Sequence, residues 1–268
     1  MSESESSSAT AAAGSNSDAL LALSGVSKSF GPVDALKNVD MEVHRGEVVG
    51  LVGDNGAGKS TLIKAIAGVQ PADSGEARFE GRPVRLNSPH SATAIGIATV
   101  YQDLALCENL DVVANLFLGQ EVSNGVLDET SMEQKANELL DSLGVTTLRS
   151  VRTDVERLSG GQRQAVAISR SMLGEPNLVL LDEPTAALGI VQTKQILDLI
   201  KRLKERDIGV VVISHNLADV FQVADRIVVL RLGRLAGEFD VAKSSREEIV
   251  AAITGADVGD RATEEQPL

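Results

Sequence analysis

Aromatic residues make up only 2% of this 268-residue chain, with no tryptophan, one tyrosine and five phenylalanines. Proteins that hold single-stranded nucleic acid stack bases on aromatic faces along a basic groove. This composition offers no such platform. A formal net charge of −13 likewise argues against broad contact with phosphate backbones or anionic lipid. There is one cysteine, Cys107, so neither an internal disulfide nor a multi-cysteine metal site is expected. Cys107 reads as a small, partly buried apolar residue. The three histidines have no usual metal-ligand spacing. No apolar run reaches the roughly 18 residues of a membrane span; the longest, "LVLL" and "VVVI", have strand length.

What is present suffices for one substantial core, since 43% of residues are hydrophobic. Residues 1–18, "MSESESSSATAAAGSNSD", lack the basic start and apolar middle of a secretory signal. They read as a disordered tail, because Ser, Ala, Glu and Asn bury too little apolar surface to offset ordering entropy. Residues 257–268 read the same way. Between them, "VDMEVHRGEVVGLVG" suggests a hairpin-like entry turning at "HRGE". "GEARFEGRPVRL" reads as two short strands, and "IATVYQD" as a strand with a polar end. From about 104 to 158 the pattern turns helical. "TSMEQKANELLDSLG" puts Met132, Ala136, Leu139, Leu140 and Leu143 on one face, with Thr130 and Glu133 as a capping box and Gly144 as the stop. Strands and helices then alternate to "REEIVAAITG". That order predicts an α/β fold with a mostly parallel sheet, helices on both faces and an inserted helical part.

Residues 53–60, "GDNGAGKS", match G-x-x-x-x-G-K-[ST] between a strand and a helix. Gly53, Gly56 and Gly58 let the backbone close around a phosphate. The helix starting near Lys59 adds the partial positive charge of its N-terminus. Lys59 is placed to reach β- and γ-phosphates, and Ser60 to offer a hydroxyl to Mg²⁺. In "NLVLLDEP", Asp182 ends a buried strand, where a carboxylate is costly unless it holds a cation. Glu183 follows as a group able to take a proton from water. His215, after "IGVVVIS", is either structural or a donor to a γ-phosphate or the attacking water. It stands at the carboxyl edge, where such sheets place ligands. Gln102, after "ATVY", has the same position on another strand and is a candidate for the cation or the water.

A second glycine pair, in "RLSGGQRQAVAISRSML", again precedes a helix. Ser159, Gly160 and Gly161 present a second anion-binding N-terminus with bare amides. Within one chain it would have to reach past the helical insertion to serve the first loop. Two copies of the chain, each closing over the other's nucleotide, remove that difficulty.

The order "GDNGAGKST", Gln102, "LSGGQ", "LVLLDEPT" and His215 resembles the ATP-binding cassette family, the ATPase subunits of ABC transporters, over about residues 19–256. The resemblance implies a RecA-like P-loop core with an N-terminal antiparallel β part and a helical subdomain of about 104–158 plus the helix 160–174. It implies an ATP-sandwich dimer, with ATP and Mg²⁺ as ligands. Gly53, Asp54, Asn55, Gly56, Ala57, Gly58, Lys59, Ser60 and Thr61 would hold the nucleotide from one copy, and Ser159, Gly160, Gly161 and Gln162 from the other. Ser60, Gln102 and Asp182 would serve the metal, and Glu183, His215 and Gln102 catalysis. Phe30 matches the adenine-stacking aromatic, with a core role as the alternative.

"YQDLALCENLDVVANLFLG", "TAALG" and "VADRIVVLRLGR" resemble the single-cassette ATPases of monosaccharide importers of the fructose type. That implies transmembrane permease subunits as partners and, indirectly, an extracytoplasmic solute-binding protein. It implies a peripheral place on the cytoplasmic face of the plasma membrane and no nucleic-acid partner. Permease docking would use the region Asp103 to Asn115. Gly189 departs from the family's usual Asp, which crosses the dimer. An ABC ATPase of another transporter class, or a soluble assembly ATPase, remains the alternative. An ordinary P-loop kinase would have no use for "LSGGQ".

Overall fold

The structure, a computed structural model, describes residues 19–122 and 127–256. The expected tails 1–18 and 257–268 lie outside the described residues. Two sheets form. The first is antiparallel, with strands β1 (Leu21–Phe30), β2 (Val33–Val43), β4 (Ser74–Phe79) and β5 (Arg82–Val84) in the order β2-β1-β4-β5. The second contains β3 (Val48–Val52), β6 (Ile97–Val100), β7 (Leu178–Asp182), β8 (Gly209–Ile213), β9 (Arg226–Arg231) and β10 (Arg234–Asp240), ordered β10-β9-β3-β8-β7-β6. It is parallel except for β10, which returns against β9 through Leu232 and Gly233, both at positive φ. Consecutive positive φ values match the right-handed twist of a tight hairpin.

Period-two alternation explains how the second sheet is buried on both faces. Val49, Leu51, Leu180, Val211 and Ile213 point to one side, where α1 (Lys59–Ile66) and the first sheet cover them. Val48, Val52, Val179, Leu181, Val210 and Val212 point to the other, against α5 (Gly160–Ser171), α6 (Ile190–Glu205), α7 (Leu217–Val223) and α8 (Arg246–Thr254). Helices thus lie on both faces as expected: α1 and the short α2 (Pro89–Ala94) share one with the antiparallel sheet, and the later helices cover the other. The reading of "HRGE" as a hairpin is corrected. β2 and β3 join different sheets, and the hairpin lies earlier, between β1 and β2.

A third cluster gathers α3 (Val112–Phe117) and α4 (Glu129–Ser142) with Val151, Val155 and Val166 of α5. The predicted buried face of α4 forms, with Met132, Ala136, Leu140 and Leu143 buried and Leu139 half-buried. Gly144 ends the helix at φ 64. The Thr130–Glu133 capping box does not form. Asp128, one residue before the helix, accepts from the Ser131 amide at 3.0 Å, and Glu133 instead pairs with Arg152 Nε at 2.8 Å. A carboxylate at the N-cap position competes successfully with a threonine two residues further on.

Asn115 fastens the chain that enters this helical part. It is fully buried; its Oδ1 accepts from the Cys107 amide at 2.7 Å, and its Nδ2 donates to the carbonyls of Cys107, Leu110 and Asp111 at 2.9, 3.2 and 3.0 Å. Truncation leaves the Cys107 amide unpaired and takes one of two donors from each carbonyl, which keep the amides of Leu110, Val155 and Asn115 itself. Asn115→Ala should lower stability by about 2 kcal/mol, given the cost of one orphaned buried amide and the loss of the remaining side-chain bonds. An unchanged melting temperature in calorimetry would refute this.

Candidate phosphate-binding and catalytic site

Sheet register brings the candidate residues together. Leu51 lies opposite Ile213, Asp182 opposite Ile213, and Val100 opposite Leu181. The segments leaving β3, β8, β7 and β6 therefore emerge side by side at the carboxyl edge. They carry Gly53–Ser60, His215, Asp182–Glu183 and Gln102. His215 is two residues beyond β8, not on the strand itself.

The first loop is shaped by close backbone approach. Gly53 has φ 150, and a Cβ there would sit 2.2 Å from the Leu230 carbonyl oxygen. Gly58 has φ 108, and a Cβ there would sit 2.7 Å from the Ala35 carbonyl oxygen. Strands β9 and β2 thus press the loop from behind, with Ala57 buried between them. Inside the loop, the Ala57 amide donates to the Asp54 carbonyl at 3.1 Å and the Asn55 amide to the Asp54 carboxylate at 2.7 Å. Gly56 faces open space. No side chain caps α1, so its first amides are available to an anion.

Lys59 Nζ folds over the loop and donates to the carbonyls of Gly53 and Asp54 at 2.8 and 2.9 Å. Burial lowers its pKa, while the charges of Glu183, Asp54 and Asp182 act the other way. The ammonium is thus held by two loop carbonyls, weaker acceptors than an anion would be. Ser60 is exposed and Thr61 half-buried just beside it.

Across the edge, the Asp182 carboxyl is held above its ordinary pKa by burial and by the neighbouring Glu183 carboxylate, with Lys64 and Lys59 opposing. Glu183 adopts φ 51, a left-handed backbone costing about 1 kcal/mol outside glycine. Three bonds hold it there. Its amide donates to the Ile213 carbonyl at 3.0 Å. Its carboxylate accepts from the His215 amide at 3.1 Å and meets His215 Nδ1 at 2.8 Å. The glutamate side chain is 15% exposed and the imidazole 73%. A fixed, largely shielded carboxylate beside an accessible ring can accept a proton from water at this edge.

The residues suit a divalent cation. Two adjoining acidic side chains, one resisting ionisation, would be relieved by positive charge. The Ser60 hydroxyl and the exposed Gln102 amide add neutral oxygens. Among the described residues no three His, Cys, Asp or Glu side chains cluster.

The second glycine pair differs from expectation. Ser159 caps α5: its Oγ accepts from the Gln162 amide at 3.3 Å, and Gln162 Oε1 accepts from the Ser159 amide at 2.9 Å. Gln162 Nε2 also donates to the Thr147 carbonyl at 2.7 Å. The helix end is therefore not bare; the cap takes Gln162 and leaves the Gly160 and Gly161 amides. A Cβ on Gly161 would sit 2.8 Å from Gln192, and one on Gly160 3.2 Å from Leu188. The pair thus also permits close packing on the start of α6. Gly189, the N-cap of α6, has an ordinary φ of −74 and open space around it, so neither its backbone nor crowding requires glycine.

Phe30, the last residue of β1, is 44% exposed, with the Lys28 ammonium 5.6 Å from its ring centroid. Its alternative as a core residue is overturned. Two supports escaped the sequence reading. Tyr101 lies near Asp182, with its own pKa raised mainly by burial. Thr185 Oγ1 donates to the buried Asp219 at 2.8 Å, pinning the turn after Glu183 to α7. Nothing in "TVYQD" or "EPTAAL" marks those contacts, because their partners are distant in sequence.

The profile of the family described as ABC transporter matches residues 36–186. The chain is 45% identical over 241 residues to the xylose/arabinose import ATP-binding protein of Sulfolobus acidocaldarius, covering 90% of this chain and 96% of that one. It is 42% identical to the fructose import ATP-binding protein of Rhizobium meliloti, covering 88% and 94%. Among solved structures, an ATP-binding cassette of an ABC transporter in its ADP conformation superposes with a TM-score of 0.74 at 27% identity, covering 89% and 96%. A dimeric cassette in a post-hydrolysis state, bound to ADP and Pi, gives 0.70 at 28%, covering 82% and 98%.

The raised Asp182 pKa sets a testable sign. A carboxyl harder to ionise when folded favours the fold fully below its unfolded pKa of about 3.9. That contribution is lost as pH rises through the higher folded value. Without nucleotide or metal, Asp182→Asn should melt above the parent near about pH 7.5, the gap closing toward about pH 3. A parent that melts higher at neutral pH contradicts the stated cause.

Proposed function

The chain belongs to the ABC transporter family, and on that premise we propose that it is the ATP-hydrolysing subunit of a sugar importer. The relatives named for xylose/arabinose and fructose import, matched over nearly their whole lengths, support the solute class. Among the described residues no helix is long and apolar enough to cross a membrane, which fits a subunit that reaches the bilayer by docking on permease subunits at the cytoplasmic face. An extracytoplasmic binding protein delivers the sugar to those subunits. The permease docks beside Gln102, over Asp103 to Asn115.

The observation that carries the catalytic reading is the Glu183–His215 pair, fixed at the same sheet edge as the uncapped start of α1. The amides of Gly53–Thr61 and the Lys59 ammonium bind the phosphates, and Phe30 stacks on adenine. Glu183 takes the proton of the attacking water; His215 holds Glu183 and donates toward the γ-phosphate. Gln102 orients the water. Ser60, Asp182 and Gln102 would hold Mg²⁺, which when bound neutralises charge on the β- and γ-phosphates. Catalysis is mostly positioning and fixed charge.

The unit spans 19–256, with 104–158 and 160–174 as its helical subdomain. Ser159, Gly160, Gly161 and Gln162 complete the pocket of a second copy. The dimeric cassette bound to ADP and Pi supports that arrangement. ATP thereby lies between two chains, and its hydrolysis releases them.

Glu183→Gln should retain ATP binding, lose about 10²–10⁴-fold in turnover, the usual worth of a general base, and trap a dimer in gel filtration. Undiminished hydrolysis removes Glu183 from the role. Mixing Ser159→Arg chains with Lys59→Ala chains should restore ATPase activity above that of either alone, because each mixed dimer regains one intact composite pocket. Activity at the level of the separate variants counts against sharing.

A further inference from the structure

The loop between β6 and α3 is anchored along most of its length. Arg170, near the end of α5, donates through Nη1 to the Ala105 carbonyl at 2.9 Å and through Nη2 to the Leu104 carbonyl at 3.0 Å. Asn115 holds Cys107, Leu110 and Asp111. The Glu156 amide donates to the Glu108 carbonyl at 3.0 Å, and the Val155 amide to the Leu110 carbonyl at the same distance. Arg163, one turn into α5, approaches the Glu108 carboxylate at 3.8 Å. Every one of these anchors belongs to the helical part. Gln102 precedes them all and is exposed.

We infer that Arg170 is a positioning residue for Gln102, fastening the loop that carries it to the helix whose other end is Ser159–Gly161. This rests on the reading of Gln102 given above. The guanidinium is half-buried, and its pKa is lowered by that burial. A cation kept in such a place for packing alone would need a carboxylate partner. No carboxylate acts on Arg170 among the described residues, and its guanidinium instead satisfies two successive carbonyls. Its planar fork matches that pair of acceptors; a lysine ammonium could not hold both in one plane. Ala105 has φ 48, and its amide donates to Asp103 Oδ1 at 3.2 Å. The backbone is thus turned at the point where the guanidinium grips it, three residues from Gln102. A rigid α5 of 12 residues then carries any shift of its Ser159 end to the Gln102 end. One helix makes the two phosphate-facing segments move together.

The test is a double-mutant cycle on the full chain, read as the kcat and KM of ATP hydrolysis, with Arg170→Ala, Arg170→Lys, Gln102→Ala and the double Arg170→Ala/Gln102→Ala. Arg170→Ala should lower kcat by roughly tenfold while KM for ATP stays within about threefold, since phosphate loop contacts are untouched. In the Gln102→Ala background the same change should cost less than about twofold. Arg170→Lys should keep the melting temperature of the parent yet fall between parent and Arg170→Ala in kcat. It serves as the variant for the cycle if the alanine chain does not fold. Losses that multiply in the double variant overturn the proposal, because they mean Arg170 acts independently of Gln102. Full kcat in Arg170→Ala overturns it while leaving Gln102 its role. Full kcat in Gln102→Ala removes that role and the proposal together.

Discussion

The site depends on how closely two strands approach the back of the phosphate loop. The Leu230 and Ala35 carbonyls sit where side chains at Gly53 and Gly58 would have to go. With Ala57 buried, the loop is wedged against β9 and β2 and its path is fixed from behind. Rigidity here is a matter of volume: interiors at crystal-like density leave no slack for an added methyl group. A binding loop built this way is already in shape before the anion arrives, so little ordering entropy opposes binding.

The opposing half of the edge stores charge instead of shape. Asp182 resists ionisation, Glu183 sits in a left-handed backbone, and His215 ties that glutamate down through two contacts. Each is unfavourable or strained alone, and each is tolerable beside the others. Lys59 feels these carboxylates, whose charges oppose the lowering of its pKa by burial, while its ammonium is held by loop carbonyls. Such a site is poised for a polyanion. Residues that sacrifice stability for function cluster where the chemistry is.

Motif residues were legible in the sequence because they are local. A glycine-lysine-serine run between strand and helix, an Asp-Glu at the end of an apolar strand and a Ser-Gly-Gly before a helix are short-range patterns with short-range causes. The face of α4 and the stop at Gly144 were readable for the same reason. The capping box at Thr130 failed because a competing cap stood two residues away, and the "HRGE" hairpin failed because adjacent strands need not share a sheet. Asn115 had a faint signal, a lone amide inside the apolar run "VVANLF", but its four partners lie on a loop that no periodicity describes.

By itself, then, the sequence determined the α/β alternation, the anion-binding helix start, the acidic pair after a buried strand and the likeness to cassette ATPases. Tertiary structure alone decided which strands are neighbours, and so that Gly53, Glu183, His215 and Gln102 share one edge although they span more than half the chain. It also decided that Phe30 is exposed, that Ser159 is already capped, and that Arg170 holds the loop after Gln102. The physical reason is range: turns, caps and periodicity act within a few residues. Strand order and buried hydrogen bonds between distant segments come from satisfying one core at once.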